Sequence, residues 1–179
     1  NQVRGVDQRN GNNTGSSALD VITLKKDNGN TQSLEQEGTQ PTITFTTNKN
    51  VGEEIKVSVT LPEGVTVDNI TVEGATVVKT EDTSKPNEKN ITYSLTEQTV
   101  KILGDLTTLI CNNNGITSID LSHSKLVNLY CGQNSITELN TNGNNNLSTL
   151  TCENNQLTAL DVSTNSELTY LNCNYNKIS

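Results

Sequence analysis

The sequence predicts a mainly β protein: a short solenoid of parallel strands over residues 105–179, an antiparallel β module over 19–104 that caps it, and a polar tail over 1–18. Three observations carry this. The pattern Leu-x-x-Leu-x-Cys-x-x-Asn-x-(Ile/Leu) begins at Leu106, Leu126, Leu147 and Leu168, in steps of 20, 21 and 21 residues. A fixed period of this size means stacked units, each too small to bury its own apolar face. The preceding stretch alternates apolar and polar residues in short runs separated by turn formers, the mark of a small antiparallel β module. The chain also holds one Phe, no Trp and no Met, and Leu, Ile, Val and Phe total 44 of 179 residues. So lean a composition suits a linear stack better than a broad globular core.

Residues 1–18 are rich in Gln, Asn, Gly, Ser and Arg and read as a tail. The β runs that follow are Leu19–Leu24, Thr42–Phe45, Ile55–Val59, Val65–Val67, Ile70–Val72, Thr76–Val78, Ile91–Tyr93 and Val100–Ile102. Asn28-Gly29, Asn48-Lys49-Asn50, Pro62-Glu63-Gly64 and the polar run from Glu81 to Asn90 punctuate them. The first coil of a solenoid has an open apolar end and an unpaired strand edge, so the module is expected to cap it. Thr99–Gly104 runs into the first repeat without a linker and is expected to be the strand that docks there.

Within a repeat, Leu109, Ile110 and Cys111 alternate inward, outward, inward, which defines a short strand. The Asn-rich run Asn112–Gly115 then turns the chain, and Asn114, Asn134, Asn155 and Asn176 recur at one slot. A buried Asn amide there can bond main-chain groups of its own turn and of the next repeat. Ile116 with Ile119, Ile136 with Leu139, and Leu157 with Leu160 close the far wall, as short strands or 3₁₀ turns rather than helices. The second repeat carries Asn140-Thr141-Asn142 and Gly143–Asn146 in its return arc, which is expected to be more polar and looser.

All four cysteines, Cys111, Cys131, Cys152 and Cys173, share one inward slot. Zinc sites need close ligand pairs, which these steps do not supply. Stacked side chains about 4.8 Å apart on neighbouring strands fall inside the Cα window of a disulfide. Their Cβ atoms point the same way, however, and stay beyond the usual ~3.8 Å. A column of buried, inert thiols is the expected outcome. The single histidine, His123, sits in an inter-repeat turn with no nucleophile pattern beside it. No catalytic residues, metal ligands or cofactor motif emerge, and the chain reads as non-enzymatic.

The formal charge is −8, without a basic cluster in either half. This disfavours binding to nucleic acid and charge-driven attachment to anionic lipid. No apolar run approaches the ~20 residues of a transmembrane helix. The outward strand register places Ile110, Tyr130, Glu153 and Tyr170 on one exposed sheet face, and tyrosines are effective interface anchors. Four such strands offer only roughly 250 Å² in projection. A standard interface needs about 800 Å² per partner, so the β module, weak binding or a second copy must make up the difference. The strand near Leu171 is expected to leave an open edge suited to homo-association.

The stretch Leu147–Asn165 carries a further signal. It resembles the 21-residue leucine-rich repeats of Bacteroides-type surface proteins, similar in layout to internalin-like proteins. Many leucine-rich repeats carry Leu in the slot that cysteine holds here. The resemblance covers about three and a half repeats, fewer than such proteins usually have. It implies a cell-surface or extracellular location, often with a lipid anchor ahead of the mature chain, and binding of a macromolecular partner from host or envelope. The alternative is a β-sandwich ligand- or carbohydrate-binding module with a short repeat appendage. The lack of Trp weighs against sugar stacking.

Overall fold

The structure is a computed structural model that describes Arg4–Gly5, Val21–Lys25, Thr31–Glu35 and residues 40–179. The chain divides into two compact units between Gln40 and Pro41, inside the stretch 19–104. In the first unit, β1 (Arg4–Gly5), β2 (Val21–Lys25) and β3 (Thr31–Glu35) form an antiparallel sheet in the order β1-β2-β3. The rest of the polar stretch 1–18 lies outside the described residues.

The second unit is two sheets around one core. Its first strands are β4 (Thr42–Thr47), β5 (Glu54–Thr60), β6 (Thr71–Glu73), β7 (Ala75–Asp82), β8 (Glu88–Leu95) and β9 (Thr99–Leu103). Alternation decides their faces. On β5, Ile55, Val57 and Val59 point inward, and on β8 Ile91, Tyr93 and Leu95 do the same. Val65–Val67 is not a strand; it leads into a 3₁₀ turn at Val67–Asn69, where the Asn69 side chain accepts from the Thr66 N–H.

The repeats add β10 (Thr108–Ile110), β12 (Asn128–Tyr130), β14 (Thr149–Thr151) and β15 (Tyr170–Asn172), parallel and in register. Leu109, Leu129, Leu150 and Leu171 are paired neighbours along that ladder. On the far wall, β11 (Ile116–His123) and β13 (Glu138–Asn140) pair in parallel too. The repeats thus wind about three solenoid-like turns, with a second sheet in place of helices.

The two regions share their sheets. One sheet has seven strands, in the order β15-β14-β12-β10-β5-β8-β7; the other has five, β13-β11-β4-β9-β6. The strands that dock on the first repeat are therefore β5, antiparallel to β10, and β4, antiparallel to β11. The expectation that Thr99–Gly104 docks there is overturned: β9 lies one strand further out, between β4 and β6. A chain entering the repeats directly from β9 would place neighbours in sequence side by side. Instead β4 and β5 each present an inward row that continues the repeat core: Ile43 and Phe45 lead to Ile119, and Val59 pairs with Leu109. One continuous apolar core results, and this gives the stack a closed first end.

The second return arc is polar, as its sequence requires, but packed rather than loose. Thr141, fully buried, occupies the slot of Leu121 and Val162. Its hydroxyl lies 2.7 Å from Asn165 Oδ1 and 3.0 Å from the Asp161 carbonyl, so the hydroxyl is satisfied.

Candidate functional site

Each ladder asparagine follows a residue with positive φ: Asn113 (57°), Gln133 (55°), Asn154 (55°) and Tyr175 (57°). This left-handed step turns the chain out of the strand and swings the next side chain into the coil. Asn134 Nδ2 donates to the carbonyls of Cys111 (3.1 Å) and Cys131 (3.0 Å), while its Oδ1 accepts from the N–H groups of Asn114 (2.8 Å) and Ile116 (3.1 Å). Asn155 repeats this, donating to Cys131 and Cys152 and accepting from Ile136. Asn176 donates to Cys152 and Cys173 and accepts from Leu157. The reach is backward, to the preceding turn, rather than to the next repeat. At the start of the ladder Asn114 treats β5 as its preceding turn: it accepts from Lys56 N–H (2.9 Å) and donates to Lys56 C=O (2.7 Å).

A second polar ladder escaped the sequence reading. Ser124, Asn144 and Asn165 are buried at spacings of 20 and 21 residues in the return turns. Asn165 Nδ2 donates to the carbonyls of Thr141 (3.0 Å) and Asn144 (2.8 Å), and Asn144 Nδ2 to that of Leu126 (3.1 Å). The signal was the same period, masked because the first member is Ser.

The cysteines are free thiols, with Cys111, Cys131 and Cys152 buried and Cys173 half-buried. Backbone N–H groups of Cys111, Cys131 and Cys152 each donate to the strand that follows, at 2.8 Å. Burial pushes the thiols of Cys111 and Cys152 up to about 12; for Cys152 the neighbouring Cys173 and Glu153 add to it. Cys131 is raised well above 9.0 by burial, then by Cys111, Cys152 and Glu153. Thiols held protonated in this way are poor nucleophiles and poor metal ligands. Among the described residues no group of three His, Cys, Asp or Glu is placed to hold a metal, and His123 is exposed. No helix among them is long and apolar enough to cross a membrane.

The outer face of the seven-stranded sheet holds the residues singled out for binding. Ile110 and Tyr130 are paired neighbours on β10 and β12, both half-buried, and Thr151 and Asn172 continue their row. Tyr170, 55% exposed, belongs to the parallel row Thr108–Asn128–Thr149–Tyr170. It stands two strands from Tyr130, about 10 Å across the sheet. Ile110 and Tyr130 are thus brought together, and Tyr170 stands apart. Glu153 lies just past β14, folded over Gly132: a Cβ on that glycine would meet Glu153 Oε1 at 2.5 Å. Its Oε2 is buried and makes no hydrogen bond among the described residues. A buried carboxylate oxygen without a donor is uncommon, and Ser124 Oγ and Asn144 Oδ1 are the other buried side-chain atoms without a partner among the described residues. Next to Ile110, the same face has a shallow notch of about 270 Å³, walled by Lys56, Ser58, Asn90 and Asn112.

The described fold is mainly β and solenoid-like in its C-terminal part, with a broad open sheet on one face. No protein-family model, curated protein or solved structure matches the chain.

Proposed function

We propose that this is a non-catalytic binding protein of the leucine-rich repeat class that engages a protein partner at the cell surface through the outer face of its seven-stranded sheet. The observation that carries the reading is Glu153, whose buried carboxylate oxygen lacks a donor on the same face as the Ile110–Tyr130 pair. Glu153 turned outward would pair with a lysine or arginine of the partner, while Tyr130 supplies apolar area. Size supports the reading as well. With β5, β8 and β7 added, the face grows to roughly 550 Å² in projection, from strand spacing and rise. That approaches the about 800 Å² per partner of a standard interface. At the other edge of that sheet, β15 leaves Tyr170 and Leu171 (40%) exposed, which supports pairing with a second copy.

The test is binding of immobilised protein to a panel of extracellular and envelope proteins, with a glycan array alongside. A protein ligand lost in Tyr130→Ala and Glu153→Gln but kept in Ser118→Ala, on the opposite sheet, supports the proposal. Specific glycan binding that both variants retain overturns it in favour of a carbohydrate-binding module. Light scattering over a concentration series reads the self-association directly; a monomer throughout removes it.

A further inference from the structure

The sandwich formed by β4–β9 is unevenly covered at the side away from the repeats. There β7 has eight residues, whereas β6, the edge strand of the facing sheet, has three. Gly74 makes the crossover between them with φ +81°, and Thr96 and Glu97 N–H groups both donate to its carbonyl. Beyond that crossover the facing sheet stops while β7 continues. The register along β7 shifts between Val77 and Lys79, so Val78 is the extra residue of a bulge. The bulge keeps Val77 opposite Tyr93 and Thr80 opposite Ile91, so both share the inner side with those core residues. Val77 is nevertheless 59% exposed, and among the described residues the facing sheet ends at the short β6.

The result is a cleft of about 440 Å³ between β7 and the segment 67–72, walled by Val67, Ile70, Val72, Ile91 and Tyr93. That is within the size range of small-molecule sites, about 300–1,000 Å³. Tyr93 is 3% exposed and lines the cleft, and its hydroxyl is not one of the fully buried atoms without a partner. Burial pushes its pKa up to about 12, so the group is a hydrogen-bond donor at neutral pH. A tyrosine hydroxyl on the wall of a cleft donates to an acceptor bound there; Thr76 and Thr80 are further hydroxyls on the same wall. Asp68 also lines the cleft and disfavours an anion.

We propose that this cleft binds a small, neutral, largely apolar molecule bearing one hydrogen-bond acceptor, such as an aromatic ketone, with Tyr93 donating to the acceptor and Val77 at the mouth. This site is separate from the sheet face assigned to the protein partner, and neither depends on the other.

The experiment is a ¹H–¹⁵N NMR titration of the full chain with acetophenone and with ethylbenzene, which matches its shape but lacks the acceptor. Saturable shifts confined to β7, β8 and residues 65–73 are expected. Acetophenone should bind about two- to tenfold more tightly, the worth of one hydrogen bond. Tyr93→Phe keeps the fold and should bring the two affinities together. Val77→Phe, at an exposed position, should weaken both. The proposal is overturned by shifts scattered over other surfaces, by no saturation up to the solubility limit, or by an acceptor preference that survives Tyr93→Phe.

Discussion

Truncating Asn155 to alanine is the sharpest test of the ladder. Its Oδ1 is the acceptor of the Ile136 N–H among the described residues, at 2.9 Å, and Ile136 is fully buried. Its Nδ2 serves the carbonyls of Cys131 and Cys152 at 3.0 Å each. Those two carbonyls keep a second donor, Asn134 and Asn176 respectively. The dominant loss is therefore the orphaned Ile136 N–H, about 1–3 kcal/mol. Two weakened carbonyl contacts and a small void add to this, for an expected total of about 2–4 kcal/mol. Asn176→Ala removes the same chemistry at a half-buried position, where water replaces the amide, so its cost should be about 1 kcal/mol or less. Urea unfolding followed by far-ultraviolet circular dichroism reads both. The reasoning fails if Asn155→Ala costs under about 1 kcal/mol, or if the two variants lose the same amount.

Other outcomes follow from the same geometry. Gly74→Ala places a Cβ 2.1 Å from the Thr99 carbonyl oxygen at a positive φ, so backbone must move; a loss of about 2–4 kcal/mol is expected in the same denaturation assay. Gly132→Ala meets only the end of the Glu153 side chain, so it should cost under about 1 kcal/mol while swinging that carboxylate into solvent, visible as altered partner binding. Thiol labelling at pH 8 should modify Cys173 first and the three buried cysteines only in denaturant. The thiols of Cys111 and Cys152 titrate near 12 in the fold against 9.0 in the unfolded chain, so the unfolded chain loses its protons first. Stability should hold up to about pH 9 and then fall towards pH 12, by about 1.4 kcal/mol per pH unit for each such thiol. A denaturation midpoint that stays flat across that range would show that the column is not dry.

The period of 20 and 21 residues already determined which positions stack, because equivalent slots in a repeat must face equivalent surroundings. It placed the Leu and Cys columns inside, Asn114, Asn134, Asn155 and Asn176 at the turn, and Ile110 and Tyr130 side by side on the outer face. Only the tertiary structure decided what lies across from them. Any of the alternating runs between Thr42 and Ile102 fits a sheet edge equally well, since period-two patterning sets a face and not a neighbour. The choice of β4 and β5 over β9 came from the core as a whole: Phe45 and Val59 continue the repeat interior where β9 does not reach it. Likewise the unpaired oxygen of Glu153 and the cleft beside Tyr93 depend on strand lengths and side-chain packing across strands distant in sequence, which no local pattern encodes.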